Sequence, residues 1–413
     1  MNFRYYFFLL LIILIFQVKC KKNIDITLIS EFEFNNNYSN CQNDILYGNI
    51  KFLKNDYNYC FRNIPRRNRT NFTYNNTFEK YDKELKIFKK WPNENENQNE
   101  NFTSIADFEF DEDDNIYLLD EINNNRVNLY KYNKEGQKKE KYEFKKETND
   151  LLINLVIDKI NNYVYISFYN NEEAGIYVIP LKHSIEYKKI FFMKSLLYDL
   201  KYIFDNELFN YYSYIINKTV SITLSCDGKY LLFSPLNSRM LYSIKTKKLR
   251  NNSIKNITIN DVNAAYKNDS SSSIIFSNMG NLYLTGMENK IIYLANQIDS
   301  NLAVFDFKIL DKRENDNMEW PTKLSITDGV LYINSKSIEK VNNSSNITIH
   351  THIYKTLIDD DKSYIYKCAG LGYNWKTIAY IFWGILIFII LLVLIFMFIG
   401  NELDQNINIK KKK

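Results

Sequence analysis

The chain has 413 residues and a mass of 49.4 kDa, with 53 Lys and Arg against 48 Asp and Glu. Its 11 Gly and 5 Pro are too few for a collagen-like or Pro-rich protein, and a hydrophobic fraction of 46% is too high for a wholly disordered one. The length allows one large domain or two to three ordinary ones.

Residues 1–20 predict a signal peptide. Arg4 precedes an apolar run from Tyr5 to Phe16, and a short polar stretch leads to Cys20. A basic start, an apolar stretch and a cleavage region in this order are typical of secretory leaders. The alternative is that the same run stays uncleaved as an N-terminal anchor.

Five segments downstream share one pattern, in which an apolar run, a turn rich in Asp, Asn or Gly and a second run follow each other. They are Ile105–Asp120, Asn154–Phe168, Ile222–Leu236, Ser273–Gly286 and Lys323–Ser335. A weaker sixth copy is Asn55–Arg66. The equivalent positions in the second runs are spaced by 48, 67, 51 and 49 residues, and they are Tyr117, Tyr165, Leu232, Tyr283 and Tyr332.

These runs are short and rich in Tyr, Ile, Val and Phe, which favours strands over helices. Repeats near 50 residues, each holding about four strands, are typical of propeller blades. We therefore predict an all-β fold, a six-bladed β-propeller ectodomain over residues 21–376. The last strand, Ile347–Ile358, is expected to pair with N-terminal strands and close the ring. An array of β-sandwiches is the alternative.

Residues 377–399 predict a single transmembrane helix. Ile378–Ile399 carries no charge and, as a helix, would be about 33 Å long, enough for a bilayer core of roughly 30 Å. The tail, residues 400–413, ends in four lysines, which the positive-inside rule places in the cytosol. We expect a single-pass type I membrane protein of the secretory pathway. Its dilysine pattern would imply retrieval to the endoplasmic reticulum. The alternative is a stop-transfer cluster whose lysines contact anionic lipid head groups, so the endoplasmic reticulum and the cell surface both stay open.

The topology changes how charge and cysteine are interpreted. The net charge of +5 falls to about +1 without Arg4, Lys19 and the tail, so the ectodomain is a poor candidate for nucleic-acid binding. An even number of ectodomain cysteines in an oxidising compartment suggests two disulfides. The cysteines are Cys41, Cys60, Cys226 and Cys368; pairing Cys41 with Cys60 is the simplest of three arrangements. The predicted N-glycosylation sequons are Asn37, Asn68, Asn71, Asn75, Asn101, Asn217, Asn251, Asn256, Asn268, Asn342, Asn343 and Asn346.

Motifs for common chemistries are absent from the sequence. It contains no G-x-S-x-G, P-loop, dinucleotide fingerprint or H-E-x-x-H, and only three histidines. His350 and His352 alternate in a strand-like run, so we expect them on an exposed strand face rather than around a metal. No catalytic residue and no metal ligand is predicted.

One stretch, Ser221–Arg250, resembles the yellow / major royal jelly protein family. The shared residues are Ser234-Pro235-Leu236, Ser238-Arg239, Leu241-Tyr242 and Leu249-Arg250. Weaker similarities follow in the same order over Phe61–Arg66, Phe102–Asp120, Ala174–Leu181 and Glu319–Ser335. The chain departs from the family pattern at Asp113 and Asp114, at Tyr117 and at Lys336, where the family prefers Cys and Gly, Trp and Asn respectively.

The resemblance implies a six-bladed propeller with a central channel. It also implies a function among those of the family, which include binding of small aromatic amines and a link to dopachrome conversion. Ligands are expected where the innermost strands start and the second strands end. The candidate ligand-binding residues are Ser104, Asp120, Asn154, Phe168, Ser234, Asn237, Thr322 and Asn334. Asp120 is expected to pair an ammonium and Phe168 to offer it an aromatic face; inter-blade hydrogen bonds or core contacts are the alternative for each.

We therefore expect a membrane-anchored binding module for a small ligand, an aromatic amine among them, or for a protein partner. One alternative is an enzyme, of a dopachrome-tautomerase-like type or a metal-dependent lactonase type. The lactonase would need Glu, Asn and Asp around a divalent cation such as Ca²⁺, the one cofactor considered. A structural or adhesive surface glycoprotein is the other alternative.

Overall fold

A computed structural model describes ten stretches of the chain, all in the first of two compact units, residues 1–367. The stretches are residues 27–34, 50–52, 60–63, 78–92, 102–182, 187–197, 219–295, 307–311, 318–340 and 347–358, apart from residues 83, 86, 112, 124, 171, 237 and 268. Within them the chain forms 25 strands, two four-residue helices and one 3-10 turn. The helices are α1 (Lys194–Leu197) and α2 (Thr246–Leu249), and the 3-10 turn is Ile259–Asp261.

The strands of the described stretches form six sheets, numbered here in chain order. The first strand, β1 (Thr27–Phe34), belongs to the last sheet. Sheet 1 contains β2 (Ile50–Phe52), β3 (Cys60–Asn63), β4 (Phe78–Asp82) and β5 (Ile87–Lys90). Sheet 2 contains β6 (Ile105–Phe110), β7 (Ile116–Glu121), β8 (Arg126–Tyr132) and β9 (Lys138–Lys145).

Sheet 3 has five strands: β10 (Leu151–Asp158), β11 (Tyr163–Tyr169), β12 (Ala174–Pro180), β13 (Lys188–Phe192) and β17 (Asn256–Ile257). Sheet 4 contains β14 (Val220–Leu224), β15 (Tyr230–Pro235), β16 (Met240–Lys245) and β18 (Asn263–Tyr266). Sheet 5 contains β19 (Ile274–Phe276), β20 (Leu282–Gly286), β21 (Ile291–Ala295) and β22 (Lys308–Asp311). Sheet 6 contains β23 (Trp320–Thr327), β24 (Val330–Lys340), β25 (Ile347–Leu357) and β1.

The six sheets form a closed ring. The first strands of sheets 2 to 6 contact each other in sequence, β6 with β10, then β14, β19 and β23, and β23 contacts β2 of sheet 1. Sheet 1 then reaches sheet 2 through contacts between β3 and β6. First strands therefore line the centre, whereas outer strands such as β9 and β18 are largely exposed. The predicted all-β propeller is confirmed, and the alternative of a β-sandwich array is wrong.

The two ends of the described chain meet in sheet 6. β1 runs antiparallel to β25, from Thr27 opposite Lys355 to Phe34 opposite Ile349. The prediction that Ile347–Ile358 pairs with an N-terminal strand is confirmed. This pairing gives an edge strand a hydrogen-bonded neighbour and joins the two ends of the ring, which a sheet of consecutive strands would not do.

The repeated segments of the sequence are the first hairpins of sheets 2 to 6, and the weaker copy contains β3 of sheet 1. Each of the five hairpin turns has a residue at positive φ directly before or near the second strand, and the turn of sheet 6 has a second one, Asp328, at 49°. The five residues are Asp114, Asn162, Gly228, Gly280 and Gly329, with φ of 61°, 58°, 65°, 84° and 74°. Asp, Asn and Gly tolerate this left-handed conformation best, which explains the turn composition of the repeats.

Neighbouring first strands face each other as sheet edges, so their backbone groups lack a ladder partner. Polar side chains on or beside one first strand form hydrogen bonds with these backbone groups of the neighbouring first strand. The bonds are Leu155 N to Asp107 Oδ2 at 2.9 Å, Ile274 N to Ser221 Oγ at 3.1 Å, Phe276 N to Thr223 Oγ1 at 3.2 Å, Leu324 N to Ser273 Oγ at 3.1 Å and Thr327 Oγ1 to Phe52 O at 2.7 Å. These bonds join sheets 2 to 3, 4 to 5, 5 to 6 and 6 to 1.

Several features predicted from the sequence lie outside the described residues. They include the signal peptide, the segment 377–399, and the sequons other than Asn251 and Asn256, both of which are exposed. In the part of the chain that is described, no helix is long and apolar enough to cross a membrane. Cys226 is buried at 1% exposure, and the predicted pairing of the cysteines stays a prediction. The expectation for His352 is wrong, because its side chain is only 4% exposed in β25.

Candidate functional site

A cavity lies at the centre of the ring, between the first strands of sheets 2 to 6. All of its lining residues belong to β6, β10, β14, β19 and β23 or to the residue just before β19. The space open to water-sized contents is about 50 Å³, and about 540 Å³ lies between the atoms when the open mouth is included. The smaller volume holds a few waters or one end of a small ligand.

Charged residues meet on one side of this cavity. Lys51 Nζ of β2 lies 3.5 Å from Asp107 Oδ1 and 3.0 Å from Glu109 Oε2, both on β6. Lys51 also donates to the backbone carbonyl of Phe108. Lys51 and Asp107 are almost fully buried, whereas the Glu109 side chain keeps 26% exposure and lines the cavity.

Lys323 of β23 brings a second ammonium to the same carboxylate. Its Nζ donates to Asp107 Oδ2 at 3.2 Å. With the Asn154 amide turned so that its oxygen faces the lysine, that oxygen accepts from Lys323 Nζ at 2.6 Å and the amide nitrogen donates to Val220 O at 3.2 Å. Strands of sheets 1, 2, 3 and 6 thus meet in one network of two cations, two anions and one amide.

The two lysines of this network differ in how firmly they hold their protons. Burial lowers the pKa of Lys323, and the charge of Asp107 only partly compensates for it. For Lys51 burial also acts downward, but Asp107 and Glu109 together raise its pKa above the ordinary value. Burial would raise the pKa of Asp107, yet the charges of Lys323 and Lys51 keep it lowered. The Asp107 carboxylate is therefore ionised, and Lys323 gives up its proton more readily than Lys51 does.

The rest of the cavity wall carries no charge. Val156, Ile222 and Ile275 contribute apolar surface. Ser221, Thr223 and Ser273 contribute hydroxyl groups that already accept backbone N–H groups and retain their own protons for donation. The cavity therefore offers a small ligand one exposed carboxylate, one lysine and an apolar wall.

Of the eight residues predicted to bind ligand, Asn154 lines this cavity. Thr322 lies beside Lys323 and donates to Asn334 O at 3.3 Å, while Asn334 donates to Ile50 O at 2.7 Å and so joins sheet 6 to sheet 1. Ser234 is fully buried in β15 opposite Ser221. Asn237 lies outside the described residues.

Asp120, near the end of β7, and Ser104, just before β6, lie together in sheet 2 and are not among the residues that line the cavity. Asp120 Oδ1 accepts Thr103 N at 2.9 Å and Ser104 N at 2.7 Å, and the Asp120 side chain is fully buried. These contacts hold the irregular start of β6, where the pairing with β7 shifts by one residue. The contacts lie within sheet 2, and the role of Asp120 in ligand binding stays a prediction.

Phe168 does face an ammonium, but that of the chain itself. Lys189 Nζ lies 4.6 Å from the centre of the Phe168 ring, and its anionic partner is Asp150 at 2.8 Å. Phe168 is 1% exposed in the core between sheets 2 and 3. Phe168 and Asp120 thus have separate partners within the chain, and a role for either in ligand binding stays a prediction.

The residues that sequence reasoning missed are Lys51, Asp107, Glu109 and Lys323. A signal for them exists, because Asp107, Glu109 and Lys323 are charged residues inside the first apolar run of a repeat. Alternation places Asp107 and Glu109 on the same side of β6, which is the side facing the channel. No spacing in the sequence links β6 to β23, 216 residues away, so their meeting could not be derived.

The family-like stretch Ser221–Arg250 contributes Ser221, Ile222 and Thr223 to the cavity wall, and its two arginines hold the ring together. Arg239 pairs with Glu288 of the next sheet at 2.8 Å. Arg250 reaches back to sheet 3, where its Nη1 lies 3.4 Å from Asp158 Oδ2 and donates to Tyr165 OH at 3.1 Å. The two arginines join sheet 4 to both of its neighbours.

Among the described residues, no group of three or more His, Cys, Asp and Glu side chains is placed to hold a metal ion. The channel carboxylates Asp107 and Glu109 have lysine ammoniums 3.0–3.5 Å away. A divalent cation at these two residues would have to displace Lys51 or Lys323.

The closed ring of sheets around a central, charged cavity defines a β-propeller. The profile of the major royal jelly protein family matches residues 140–363, more than half of the 413-residue chain. The chain belongs to this family. No curated protein matches it significantly.

Several solved structures are similar at low sequence identity. A putative 6-phosphogluconolactonase from Bacteroides fragilis has 13% identity and a TM-score of 0.42, over 67% of this chain and 76% of its own. The calcium-binding protein regucalcin from Agrobacterium tumefaciens has 9% identity and a TM-score of 0.42, over 78% and 94%. Virginiamycin B lyase from Staphylococcus aureus has 13% identity and a TM-score of 0.39, over 81% and 100%. Similarities at this level carry no information on the ligand or activity of this chain.

Proposed function

We propose that this chain is a membrane-anchored binding module whose propeller lies in the lumen of the secretory pathway or outside the cell. The leader at residues 1–20, the apolar segment 377–399 and the lysine tail support the topology. The two described sequons support it as well, because Asn251 and Asn256 are exposed and leave space for a glycan. If the propeller is lumenal, Asn251→Gln and Asn256→Gln should each migrate on a gel with the mass of one glycan less than wild type. Treatment with a glycosidase should abolish the difference. Unglycosylated wild-type protein would contradict this topology.

The observation that carries the binding function is the pair of opposite charges on the cavity wall. Glu109 presents a partly exposed carboxylate, and Lys323 on β23 of sheet 6 lines the same space. The apolar residues Val156 and Ile275 complete the wall. This combination suits a small amphipathic ligand whose ammonium pairs with Glu109 and whose apolar body packs on the wall, as an aromatic amine would.

The size of the cavity limits how such a ligand is bound. The cavity volume of about 50 Å³ is far below the roughly 300–1,000 Å³ of typical small-molecule sites. The charged end of the ligand therefore enters the channel, and its ring lies in the wider mouth. In this proposal Glu109, rather than Asp120 as predicted from the sequence, pairs with the ammonium of the ligand.

Calorimetric titration of the full-length protein in detergent with serotonin and dopamine tests this function. We expect saturable 1:1 binding that weakens about tenfold or more in Glu109→Gln, because the ammonium loses its charged partner. Glu143→Gln, on the exposed outer strand β9, is the matched control and should bind as wild type does. A flat titration of folded, monodisperse protein would reject small amines and direct the search to a protein partner.

A further inference from the structure

An aromatic cage surrounds the ammonium of Lys189, at a distance from the channel. Three rings face Lys189 Nζ, with centres 4.6 Å (Phe168), 4.8 Å (Phe191) and 5.8 Å (Tyr177) away. Asp150 Oδ2 lies 2.8 Å and Glu147 Oε2 2.6 Å from the same nitrogen. Aromatic faces combined with carboxylates are the arrangement with which proteins recognise organic ammonium ions.

The cage is built into the sheet and is not a surface coincidence. Asp150 is fully buried, accepts Asn170 Nδ2 at 2.8 Å and also receives the Tyr177 hydroxyl. The Phe168 and Tyr177 rings pack against each other with centres 4.9 Å apart. The rings and the carboxylate are therefore held in place independently of Lys189.

An open cleft adjoins the cage. It has a volume of about 640 Å³ and is lined by polar residues of sheets 2 and 3 and their links, among them Glu147, Asn170, Glu172 and Glu173. Glu147 touches both the cleft and Lys189, and Asn170 touches both the cleft and Asp150. The volume is within the range of small-molecule sites, and the exposed side chains of Glu147, Glu172 and Glu173 favour a cation.

We infer that this cleft and cage form a second binding site, for a small organic cation, and that Lys189 is the tethered occupant that the ligand displaces. Lys189 lies on β13, in the outer half of sheet 3, and its flexible side chain, which already contacts the 65% exposed Glu147, can turn out of the cage into the cleft. The ammonium of the ligand then takes the position between the rings and Asp150. Competition with Lys189 keeps the affinity of the unmodified protein low.

Choline is a suitable probe for this site, and 3,3-dimethylbutan-1-ol is its uncharged isostere. In calorimetric titrations of the full chain, Lys189→Ala should bind choline about tenfold more tightly than wild type or more, because the competing ammonium is gone. The isostere should show no such gain. Lys188→Ala is the matched control, since it removes a neighbouring lysine that contacts Leu249 O and Asn251 O instead.

A second measurement uses the unsubstituted protein, in case Lys189→Ala does not fold. Choline should raise the rate at which Lys189 is acetylated, measured by mass spectrometry, and leave the rate of Lys188 unchanged. No gain in Lys189→Ala over Lys188→Ala, or an unchanged acetylation rate of Lys189 at saturating choline, would overturn the inference. Glu109→Gln should not alter choline binding, which separates this site from the channel.

Discussion

Buried lysines are the most unusual feature of this propeller at the scale of single residues. Lys51 is stabilised by two carboxylates, whereas Lys323 shares one of them. Lys267 donates to the carbonyl groups of Ser238 and Asp269 at 2.6 and 2.9 Å. Burial lowers the pKa of Lys267 to about 7, and it lowers that of Lys336 in β24 to about 7 as well. Such groups connect folding stability to pH near neutrality.

Lys336 gives a pH-dependent prediction. Its pKa is about 7 in the folded protein and near 10.5 in the unfolded chain, so between these values the unfolded state binds more protons and stability rises with pH. Lys336→Met removes this dependence. Relative to Lys336→Met, the wild type should gain on the order of 1–2 kcal/mol between pH 7 and pH 9 in denaturant unfolding. An unchanged difference between the two proteins would show that Lys336 does not lose its proton on folding.

Substitutions of Asp120 test whether its buried carboxylate stabilises the fold or binds ligand. Asp120→Ala leaves the N–H groups of Thr103 and Ser104 without their acceptor, which should cost about 1–3 kcal/mol of unfolding free energy. Asp120→Asn keeps an acceptor oxygen and should cost less. Ligand binding in the channel should persist in Asp120→Asn. Loss of binding in a stably folded Asp120→Asn would return this residue to the ligand site.

At the scale of elements, a polar arrangement recurs at two links between sheets. In the link from sheet 2 to sheet 3, Lys146 donates to Asp150 O and Asn170 donates to the Asp150 carboxylate. In the link from sheet 4 to sheet 5, Lys267 donates to Asp269 O at 2.9 Å and Asn289 donates to the Asp269 carboxylate at 2.9 Å. The sequence contains the Lys and Asp of both links, but only the fold brings the asparagine of the following sheet to them.

The link made by Arg250 gives a prediction at this scale. Arg250→Ala leaves Asp158, which is 1% exposed, without its cation, and burial already raises the pKa of this carboxyl. We expect a loss of about 3 kcal/mol in denaturant unfolding. The matched control is Arg126→Ala, whose pair with Glu143 is about half exposed and should contribute less than about 1 kcal/mol. Equal losses of unfolding free energy in the two variants would contradict a role for Arg250 in joining sheet 4 to sheet 3.

At the scale of the whole molecule, ring closure depends on β1. Deletion of residues 21–34 removes the strand that pairs with β25 and exposes the β25 edge. An exposed strand edge invites pairing between chains, so the truncated protein should aggregate or unfold at lower temperature than wild type. Size-exclusion chromatography and thermal unfolding measure this. Deletion of residues 405–413, which lie outside the propeller, is the control and should have no effect.

The repeats show how much of the fold was predictable. Short strands, turn residues and a period near 50 residues indicated a propeller, because each of these is a local property of the chain. Within one such hairpin, the hydroxyl of Tyr165 donates to the carboxylate of Asp158 at the end of the preceding strand, at 3.2 Å. Sheet 1 was the weakest prediction, since its first strand has three residues and carries little periodic signal.

The candidate site was less predictable, and Asp107 and Phe168 show why. Asp107 meets Lys51 and Lys323, which lie 56 residues before and 216 residues after it, so no local pattern indicates the network. From its place at the end of a second strand, Phe168 is predicted to offer its ring to the ammonium of a ligand. The structure gives that ammonium as Lys189, twenty-one residues further along the chain on an outer strand.

Sequence alone determined the strand repeats, their turns and the strand that closes the ring, because backbone preference and hydrophobic alternation act over a few residues. The tertiary structure alone decided which charged side chains meet in the channel and which ammonium occupies the aromatic cage. Those contacts form between strands of different sheets, and their geometry exists only once the ring has closed.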